Sequence, residues 1–425
     1  MTEQYQIVGS SANDIARSVE TAIARGDLAP AVALPSVRTL ARDLEVSPTT
    51  VAAAFAELRR RGVIISRPRS GTRVAERPPL RHPIAVVPAG ARDLATGSPD
   101  LALLSDFPAL AGPQRLYAAE PVLAELAELA SQAFVADGIP AGRVCAVNGA
   151  LDGIERVLSA HLVPGDAVAV EDPGWTGVFD LCRMLGLRLV GIPVDERGML
   201  PDALAAADVR AVVLTPRGHN PSGAALDAAR ADELRRALAD DVLVVEDDHL
   251  GPVAGTPYET LIRERARWAA VRSLSKWLGP DLRLAVLTGD PTTLARVEGR
   301  QALGPGWVSG LIQRLAVQLW SDPQILARVA DAAEIYRERR EAFAAAVGVA
   351  APPSGINVWV PVPDEDAVVR ALVADGWAVA AGTPYRLSGG PAIRVTTATL
   401  RSDEAPVLAG AIARAAAPAL RTRAA

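Results

Sequence analysis

The stretch VRSLSKWLGPDLR, residues 271–283, contains the only lysine in the 425-residue sequence, Lys276. The other 43 basic residues are arginine, so the chain strongly prefers arginine to lysine and Lys276 is the one exception. A lysine amine can lose its proton and form a Schiff base with an aldehyde such as pyridoxal phosphate, whereas a guanidinium cannot. By composition alone, Lys276 is either a chance surface residue or a nucleophile of this kind.

Short β-branched runs alternate with helical patterns on both sides of this stretch. The runs are Ala167–Glu171, Leu187–Ile192, Ala211–Leu214, Val242–Glu246, Ala270–Ser273 and Leu284–Thr288. Strands that are apolar on both faces and separated by helices predict a mostly parallel sheet that is covered on each side. Ligands bind such sheets at the carboxyl ends of the strands. The sequence therefore predicts a large α/β domain with its site at that edge.

Two polar residues follow the ends of predicted strands and suit a pyridine ring. Asp247 could pair with a pyridinium nitrogen and keep it protonated, which makes a buried carboxylate at this position tolerable. Asn220 could donate an amide hydrogen bond to a phenolate oxygen, although Asn-Pro-Ser-Gly is also ordinary turn sequence. With Lys276, these residues point to a pyridoxal phosphate site.

Other residues near the predicted strand ends suit a phosphate group. Gly149 and Ala150 open a predicted helix, where free backbone N–H groups and the helix dipole favour an anion. Ser273 and Arg283 flank Lys276 and could add a hydroxyl and a bidentate guanidinium.

The first 75 residues predict a separate, smaller module. Residues 34–58 form two apolar stripes at helical spacing, with Ser36 and Ser47 as N-caps and a tight turn between the helices. Residues 62–74, GVIISRPRSGTRV, predict two short strands around a basic tip. Residues 1–80 carry a net charge of +3 against −8 for the rest of the chain, which suggests a nucleic-acid-binding module.

Residues 34–74 resemble the GntR family of winged-helix DNA-binding domains, through the pattern LPSVRTLARDLEVSPTTV...L..RG.I..R..SGT.V. The resemblance implies a double-stranded DNA operator as a partner. It also implies contacts with phosphates or base edges from eight residues: Arg38, Ser47, Thr49 and Thr50 in the helix-turn-helix, and Arg67, Arg69, Ser70 and Gly71 in the wing.

The larger domain resembles the fold-type I, class I and II aminotransferases over about residues 94–420. The resemblance rests on six short segments: NGA (148–150), EDPGW (171–175), NPSG (220–223), EDDH (246–249), SLSK (273–276) and LRL (282–284). A GntR-type head on such a body is the organisation of the MocR family of bacterial transcriptional regulators. The implied fold is a mainly α winged helix-turn-helix followed by a large α/β transferase-like domain with a mostly parallel sheet and a smaller C-terminal α/β subdomain.

The resemblance assigns roles around a pyridoxal 5′-phosphate cofactor. Lys276 would form the internal aldimine, Asp247 would pair with the pyridine nitrogen and Asn220 would contact the 3′ oxygen. Trp175 would stack on the ring, unless it is a core tryptophan. The phosphate would be held by these residues: Ser273, Arg283, Gly149, Ala150 and Tyr117 of the partner subunit.

Two further residues concern the ligand and the 3′ oxygen. Arg394 matches the arginine that binds the α-carboxylate of an amino-acid ligand, with a surface arginine as the alternative. His249 occupies the place of a tyrosine that normally hydrogen-bonds the 3′ oxygen. An imidazole can supply that bond, and we expect it to titrate near neutral pH.

We expect a winged-helix domain at residues 1–75, a linker at 76–93 and the aminotransferase-like domain at 94–425, with its small subdomain from about residue 325. The polar N-terminal sequence and the lack of an apolar run of about 20 residues predict no signal peptide, no membrane partner and a cytoplasmic protein. Cys145 and Cys182 lack metal-ligand spacing and are expected to be reduced core residues.

The favoured interpretation is a homodimeric transcriptional regulator that senses an amino acid or amine by forming an external aldimine, with little or no transaminase turnover. An active class I/II aminotransferase with an appended DNA-binding domain is the alternative. A third possibility is a dimerisation scaffold that binds no pyridoxal phosphate.

Overall fold

The computed structural model describes residues 7–25, 27–29, 31–60, 63–67, 71–75, 87–108 and 120–417. The chain forms two compact units, one consisting mainly of residues 1–83 and the other of most of the remaining chain. Among the described helices, none combines the length and the apolar composition that a bilayer span requires.

The first unit is a three-helix module with a two-stranded wing. Its elements are α1 (Ala12–Arg25), α2 (Val37–Asp43), α3 (Pro48–Arg60), β1 (Ile64–Arg67) and β2 (Gly71–Val74). The predicted caps are confirmed, since Ser36 Oγ accepts a hydrogen bond from Thr39 N at 3.1 Å and Ser47 Oγ accepts one from Thr50 N at 3.0 Å. Strands β1 and β2 pair antiparallel, as predicted for the wing.

The three helices and the wing of this unit share one apolar core. Its fully buried side chains include Ile15, Val19, Val51, Phe55 and Leu58. Helix α1 is not among the predicted elements. Ile15 and Val19 begin an i, i+4, i+7 stripe along it, and this spacing is the sequence signal that identifies the helix.

The second unit contains two sheets and the remaining helices. Its strands are β3 (Arg92–Leu94), β4 (Cys145–Val147), β5 (Ala167–Asp172), β6 (Arg188–Asp195), β7 (Gly198–Met199), β8 (Ala211–Leu214), β9 (Leu243–Asp248), β10 (Trp268–Ser273), β11 (Ala285–Gly289), β12 (Asn357–Pro361), β13 (Trp377–Ala381) and β14 (Ala392–Thr396). Its helices are α4 (Ala124–Ala136), α5 (Ala150–His161), α6 (Thr176–Met184), α7 (Pro201–Ala205), α8 (Ala228–Ala237), α9 (Pro291–Ala302), α10 (Gly310–Ser321), α11 (Pro323–Val347), α12 (Glu365–Ala374) and α13 (Ala405–Ala416).

The large sheet has the strand order β4-β11-β10-β9-β8-β5-β6-β7. Strands β5, β8, β9 and β10 run parallel to one another, whereas β11 runs antiparallel to both β10 and β4. All six predicted strands are observed, with ends that differ by at most three residues. The carboxyl ends of β4, β5, β8, β9 and β10 therefore meet at one edge, together with the amino end of β11.

The small sheet has the order β12-β14-β13-β3 and its own core, which includes Leu94, Val358 and Ile393. Strand β3 pairs parallel with β13, with Arg92 opposite Trp377. This strand starts two residues before the predicted domain start at residue 94. A three-residue strand is too short to show periodicity, and its partner comes from a distant part of the sequence.

Both cysteines are buried and unbonded, as predicted. Burial, together with Glu298, raises the pKa of the Cys145 thiol to about 12, and burial alone raises that of Cys182 to about 12. Both thiols are therefore protonated at neutral pH and unreactive as nucleophiles.

Candidate cofactor and ligand site

The predicted site residues follow the strands that end at one edge of the large sheet. Asp247 is the penultimate residue of β9, Trp175 follows β5, Asn220 follows β8 and Lys276 follows β10. Because these strands are parallel, their polar ends gather at one place while their apolar bodies fill the core.

Lys276 is partly buried and donates a hydrogen bond to the carbonyl oxygen of Gly97. Burial, followed by the positive charges of Arg394 and Arg283, lowers the pKa of its amine to about 8. A lysine with this pKa presents far more free amine at neutral pH than an exposed lysine does, as nucleophilic attack on an aldehyde requires.

Asp247 is only 2% exposed, and its Oδ1 has no hydrogen-bond partner among the described residues. Burial, followed by the nearby carboxyls of Asp248 and Glu171, raises the pKa of this carboxyl to about 8. A buried acceptor without a donor is costly. A protonated ring nitrogen would supply both the missing donor and the missing positive charge.

A buried ionic cluster lies beside Asp247. The Asp248 carboxylate receives hydrogen bonds from Arg217 at 2.9–3.0 Å and from Arg272 at 2.6 Å, and Arg272 also pairs with Asp137 at 2.5 Å. Burial opposes the charge on Asp248, yet the two guanidinium groups hold its pKa below the usual range. This cluster ties the ends of β8, β9 and β10 together and fixes the strand that carries Asp247.

The residues predicted to bind phosphate come together at the start of α5. Gly149 is its N-cap, with φ +92°, and a Cβ placed there would lie 2.7 Å from Arg283 Nη2. Ser273 Oγ accepts a hydrogen bond from Ser275 N at 3.3 Å, and the Ser275 hydroxyl is buried without a partner among the described residues. Backbone N–H groups, an exposed guanidinium and the free Ser275 hydroxyl make this a site for an anion.

Arg394 is buried, with 3% exposure, so the alternative of a surface arginine is wrong. Its guanidinium donates to Asn220 Oδ1 at 3.1 Å and to Ala95 O, and its Cζ lies 4.7 Å from the centre of the Tyr385 ring. Its Nε has no partner in the described part of the chain. The geometry leaves a donor on Arg394 for a ligand carboxylate.

Trp175 and His249 form an aromatic pair at the same edge. Their ring centroids are 6.5 Å apart and their planes are inclined by 21°. Both side chains are partly exposed, which disfavours Trp175 as an ordinary core residue. The expectation that His249 titrates near neutral pH is wrong, because burial and the charge of Lys276 lower its pKa to about 3. His249 is therefore a neutral imidazole that can donate or accept a hydrogen bond.

In the winged-helix unit, the predicted DNA contacts lie on α2, on α3 and in the wing. Arg38 and Thr49 are exposed, and Ser47 Oγ lies 2.8 Å from Thr50 Oγ1. Gly71 begins β2 with φ +74°. Two of the predicted DNA contacts, Arg69 and Ser70, lie outside the described residues, and so does the side chain of Arg67. The predicted phosphate contact Tyr117 also lies outside them.

Two family models match this chain. Residues 86–412 match aminotransferase class I and II, and residues 11–74 match bacterial regulatory proteins of the gntR family. The vitamin B6 salvage pathway transcriptional repressor PtsJ of Salmonella typhimurium is 37% identical over 96% of this chain and 99% of its own length. The chain belongs to the MocR-type transcriptional regulators.

Other relatives of this MocR-type regulator match over smaller parts. The HTH-type pyridoxine biosynthesis transcriptional regulator PdxR of Corynebacterium glutamicum is 29% identical over 55% of each chain. The α-aminoadipate aminotransferase LysN of Thermus thermophilus, solved with N-(5′-phosphopyridoxyl)-L-leucine, has a TM-score of 0.68 at 20% identity and covers 77% of this chain and 92% of its own. The second similarity confirms the aminotransferase fold.

The cofactor of this MocR-type regulator is pyridoxal 5′-phosphate, and the residues at the sheet edge fit it. The unpartnered Asp247 suits the ring nitrogen, the Gly149–Arg283 cradle suits the phosphate and the Lys276 amine suits the aldehyde. The individual contacts stay predictions.

The sequence analysis missed several residues of the regulator's site. Ala95 and Gly97 contribute backbone carbonyls, which no side-chain pattern predicts. Tyr385, at the end of the 3-10 turn Thr383–Tyr385 shortly before β14, lies under Arg394, and no sequence pattern marks this contact. Ser275 could have been recognised, because it lies within the Ser-Leu-Ser-Lys segment directly before Lys276.

Gly149→Ala is expected to weaken pyridoxal phosphate binding at least about 10-fold, or about 1.4 kcal/mol. The added methyl group would displace the Arg283 guanidinium from the cradle, and alanine is strained at φ +92°. Equilibrium dialysis of the cofactor measures the change. Gly142→Ala is the matched control, because a Cβ there meets nothing within 4 Å. Equal affinities in the two variants would contradict the cradle.

Asp247→Asn is expected to change how stability depends on pH in the cofactor-free protein. The pKa of Asp247 is raised to about 8 in the folded state, so its protonation stabilises the fold at low pH, and this contribution is lost as pH rises from about 4 to about 8. Asparagine cannot ionise, so the variant should lose less stability over this range. The pKa of Glu246, raised to about 7 chiefly by burial, contributes to both proteins. Parallel curves of melting temperature against pH would argue against this assignment.

Proposed function

We propose that this regulator binds double-stranded operator DNA as a cytoplasmic homodimer and senses an amino acid or amine at Lys276. The main observation in support is that two suitable groups lie at the same site. The Lys276 amine has a lowered pKa, and the buried Arg394 keeps an unpartnered Nε. Together they suit a molecule with an amino group and a carboxylate.

When bound, pyridoxal phosphate would supply an aldehyde that can react with the Lys276 amine or with a ligand amine. Asp247 would hold a proton at the ring nitrogen, and the Arg394 guanidinium would bind the ligand carboxylate in a bidentate manner. Neutral His249 offers a hydrogen bond near Lys276. Regulation requires that the occupied site favour one arrangement of the protein over another, since a ligand shifts an equilibrium only by its differential affinity.

The functions of the relatives PtsJ and PdxR support a more specific proposal for the target genes. One relative is a repressor of vitamin B6 salvage and the other regulates pyridoxine biosynthesis. We infer that this chain controls genes of vitamin B6 supply and that pyridoxal phosphate is itself one of the molecules it reports.

A retardation assay at fixed salt tests the DNA-binding part, using DNA from upstream of the regulator's own gene and of its neighbours. We expect specific retardation whose midpoint shifts when pyridoxal phosphate is added. Arg38→Ala should weaken the binding and reduce its salt dependence by about one phosphate contact. Arg337→Ala, on an exposed face of the larger unit, is the matched control. Absence of specific retardation in every state would contradict the proposal.

The alternative of an active aminotransferase is tested with the same protein. Incubation with pyridoxal phosphate and a mixture of L-amino acids should release no more keto acid than the amount of protein present. Release that continues over many equivalents would establish turnover and replace the sensor interpretation.

A further inference from the structure

The two cationic groups that would receive a ligand are engaged by one short backbone segment. Lys276 donates to the carbonyl of Gly97, and Arg394 donates to the carbonyl of Ala95. A Cβ placed at Gly97 would lie 3.6 Å from both Nη atoms of Arg394. Residues 95–97, called the carbonyl segment below, therefore contact the positions that an amine and a carboxylate would take.

Asp93, at the centre of β3, shapes the carbonyl segment. Its Oδ1 accepts hydrogen bonds from Ala95 N and Thr96 N, both at 3.0 Å, and its Oδ2 accepts one from Thr96 Oγ1 at 2.6 Å. Gly97 then turns the chain with φ +70°. A defined turn thus presents the two carbonyls to the site.

The contacts that the carbonyl segment makes are replaceable. A carbonyl oxygen carries only a partial charge, whereas hydrogen bonds to a carboxylate are about twice as strong, so a ligand carboxylate should displace Ala95 O from Arg394. Joining the Lys276 amine to an aldehyde likewise removes the ammonium that Gly97 O accepts from. Attachment of the aldehyde alone therefore deprives Gly97 O of its partner, and a ligand carboxylate would in addition deprive Ala95 O of its partner.

We propose that the carbonyl segment is an internal occupant of the ligand site and that its displacement transmits occupancy to the DNA-binding domain. The chain runs from Ala95 back through β3 and the predicted linker, residues 76–93, to the winged helix, so the segment directly adjoins the strand at the larger unit's end of this covalent connection. This inference rests on the proposed function and adds the element by which the site is coupled to DNA.

Hydrogen exchange of the wild-type protein with pyridoxal phosphate as the probe gives the direct test. The amides of Ala95 and Thr96, which donate to Asp93, should exchange at least about fivefold faster when the cofactor is bound. Unchanged exchange, with cofactor attachment confirmed by absorbance, overturns the inference and leaves the proposed function intact.

DNA affinity of variants gives the second test. Asp93→Ala removes the acceptors that hold the turn, so without cofactor it should bind DNA as cofactor-bound wild type does, and the effect of pyridoxal phosphate should fall below twofold. Asp364→Ala is the matched control, because Asp364 caps α12 in the same way, accepting from Ala367 N at 2.9 Å, away from the segment.

An Asp93→Ala protein whose response to pyridoxal phosphate equals that of wild type and Asp364→Ala overturns the coupling. The coupling is also overturned if pyridoxal phosphate leaves the DNA affinity of the wild-type protein unchanged. If wild type binds no operator in any state, the proposed function fails as well, which separates the two failures. Exchange on wild type does not depend on a variant, so misfolding of Asp93→Ala would not obscure the outcome.

Discussion

Lys276→Ala is expected to abolish covalent attachment of pyridoxal phosphate and to weaken its binding about 100-fold, or about 2.7 kcal/mol. The chain has one lysine, so borohydride reduction of the wild-type complex should fix one cofactor per chain at Lys276. Mass spectrometry of the reduced protein measures this. The pKa of about 8 further predicts that the rate of attachment rises with pH and levels off above about pH 8, where the amine is unprotonated.

Lys276→Arg is the matched control, because arginine keeps the positive charge and a donor for Gly97 O but cannot attack an aldehyde. It should also lack the reduced adduct while preserving melting temperature better than alanine does. A stoichiometric adduct in either variant, beyond any at the terminal amino group, would show that Lys276 is not the attachment point.

Arg272→Ala is expected to destabilise the larger unit by about 3–5 kcal/mol. Arg272 is 3% exposed and bridges the buried Asp248 and the partly exposed Asp137, so its removal leaves these carboxylates with only Arg217 to pair with them. The strand carrying Asp247 should loosen, and cofactor affinity should fall with stability. Denaturant unfolding followed by tryptophan fluorescence measures the shift in midpoint.

Arg337→Ala is the control for this prediction, since Arg337 pairs with Glu334 and Glu341 on an exposed helix face. Solvent screens such pairs, so the unfolding midpoint should hardly move. Arg272→Met offers a second comparison, because it preserves much of the buried volume while deleting the charge. A midpoint for Arg272→Ala close to that of Arg337→Ala would mean that the cluster contributes little to folding.

The elements that the sequence predicts well are those with strong local signals. The strand runs around Lys276 are continuous and apolar because both faces of the sheet are covered, and the caps Ser36 and Ser47 satisfy free N–H groups at helix starts. Strand β3 escapes prediction because three residues carry no measurable period. The titration of His249 is mispredicted because burial and the charge of Lys276, which no sequence displays, set its pKa.

The sequence by itself determined the family, the division into a winged helix and an aminotransferase-like body, and the singular status of Lys276. These follow from residue types at fixed spacing, and that spacing is set by the order of residues along the chain. Only the tertiary structure decided what faces that lysine: the carbonyls of residues 95–97, the buried Arg394 and the unpartnered Asp247. Those contacts join distant parts of the chain, and backbone carbonyls have no residue signature, so their placement depends on how the strands and the two sheets pack.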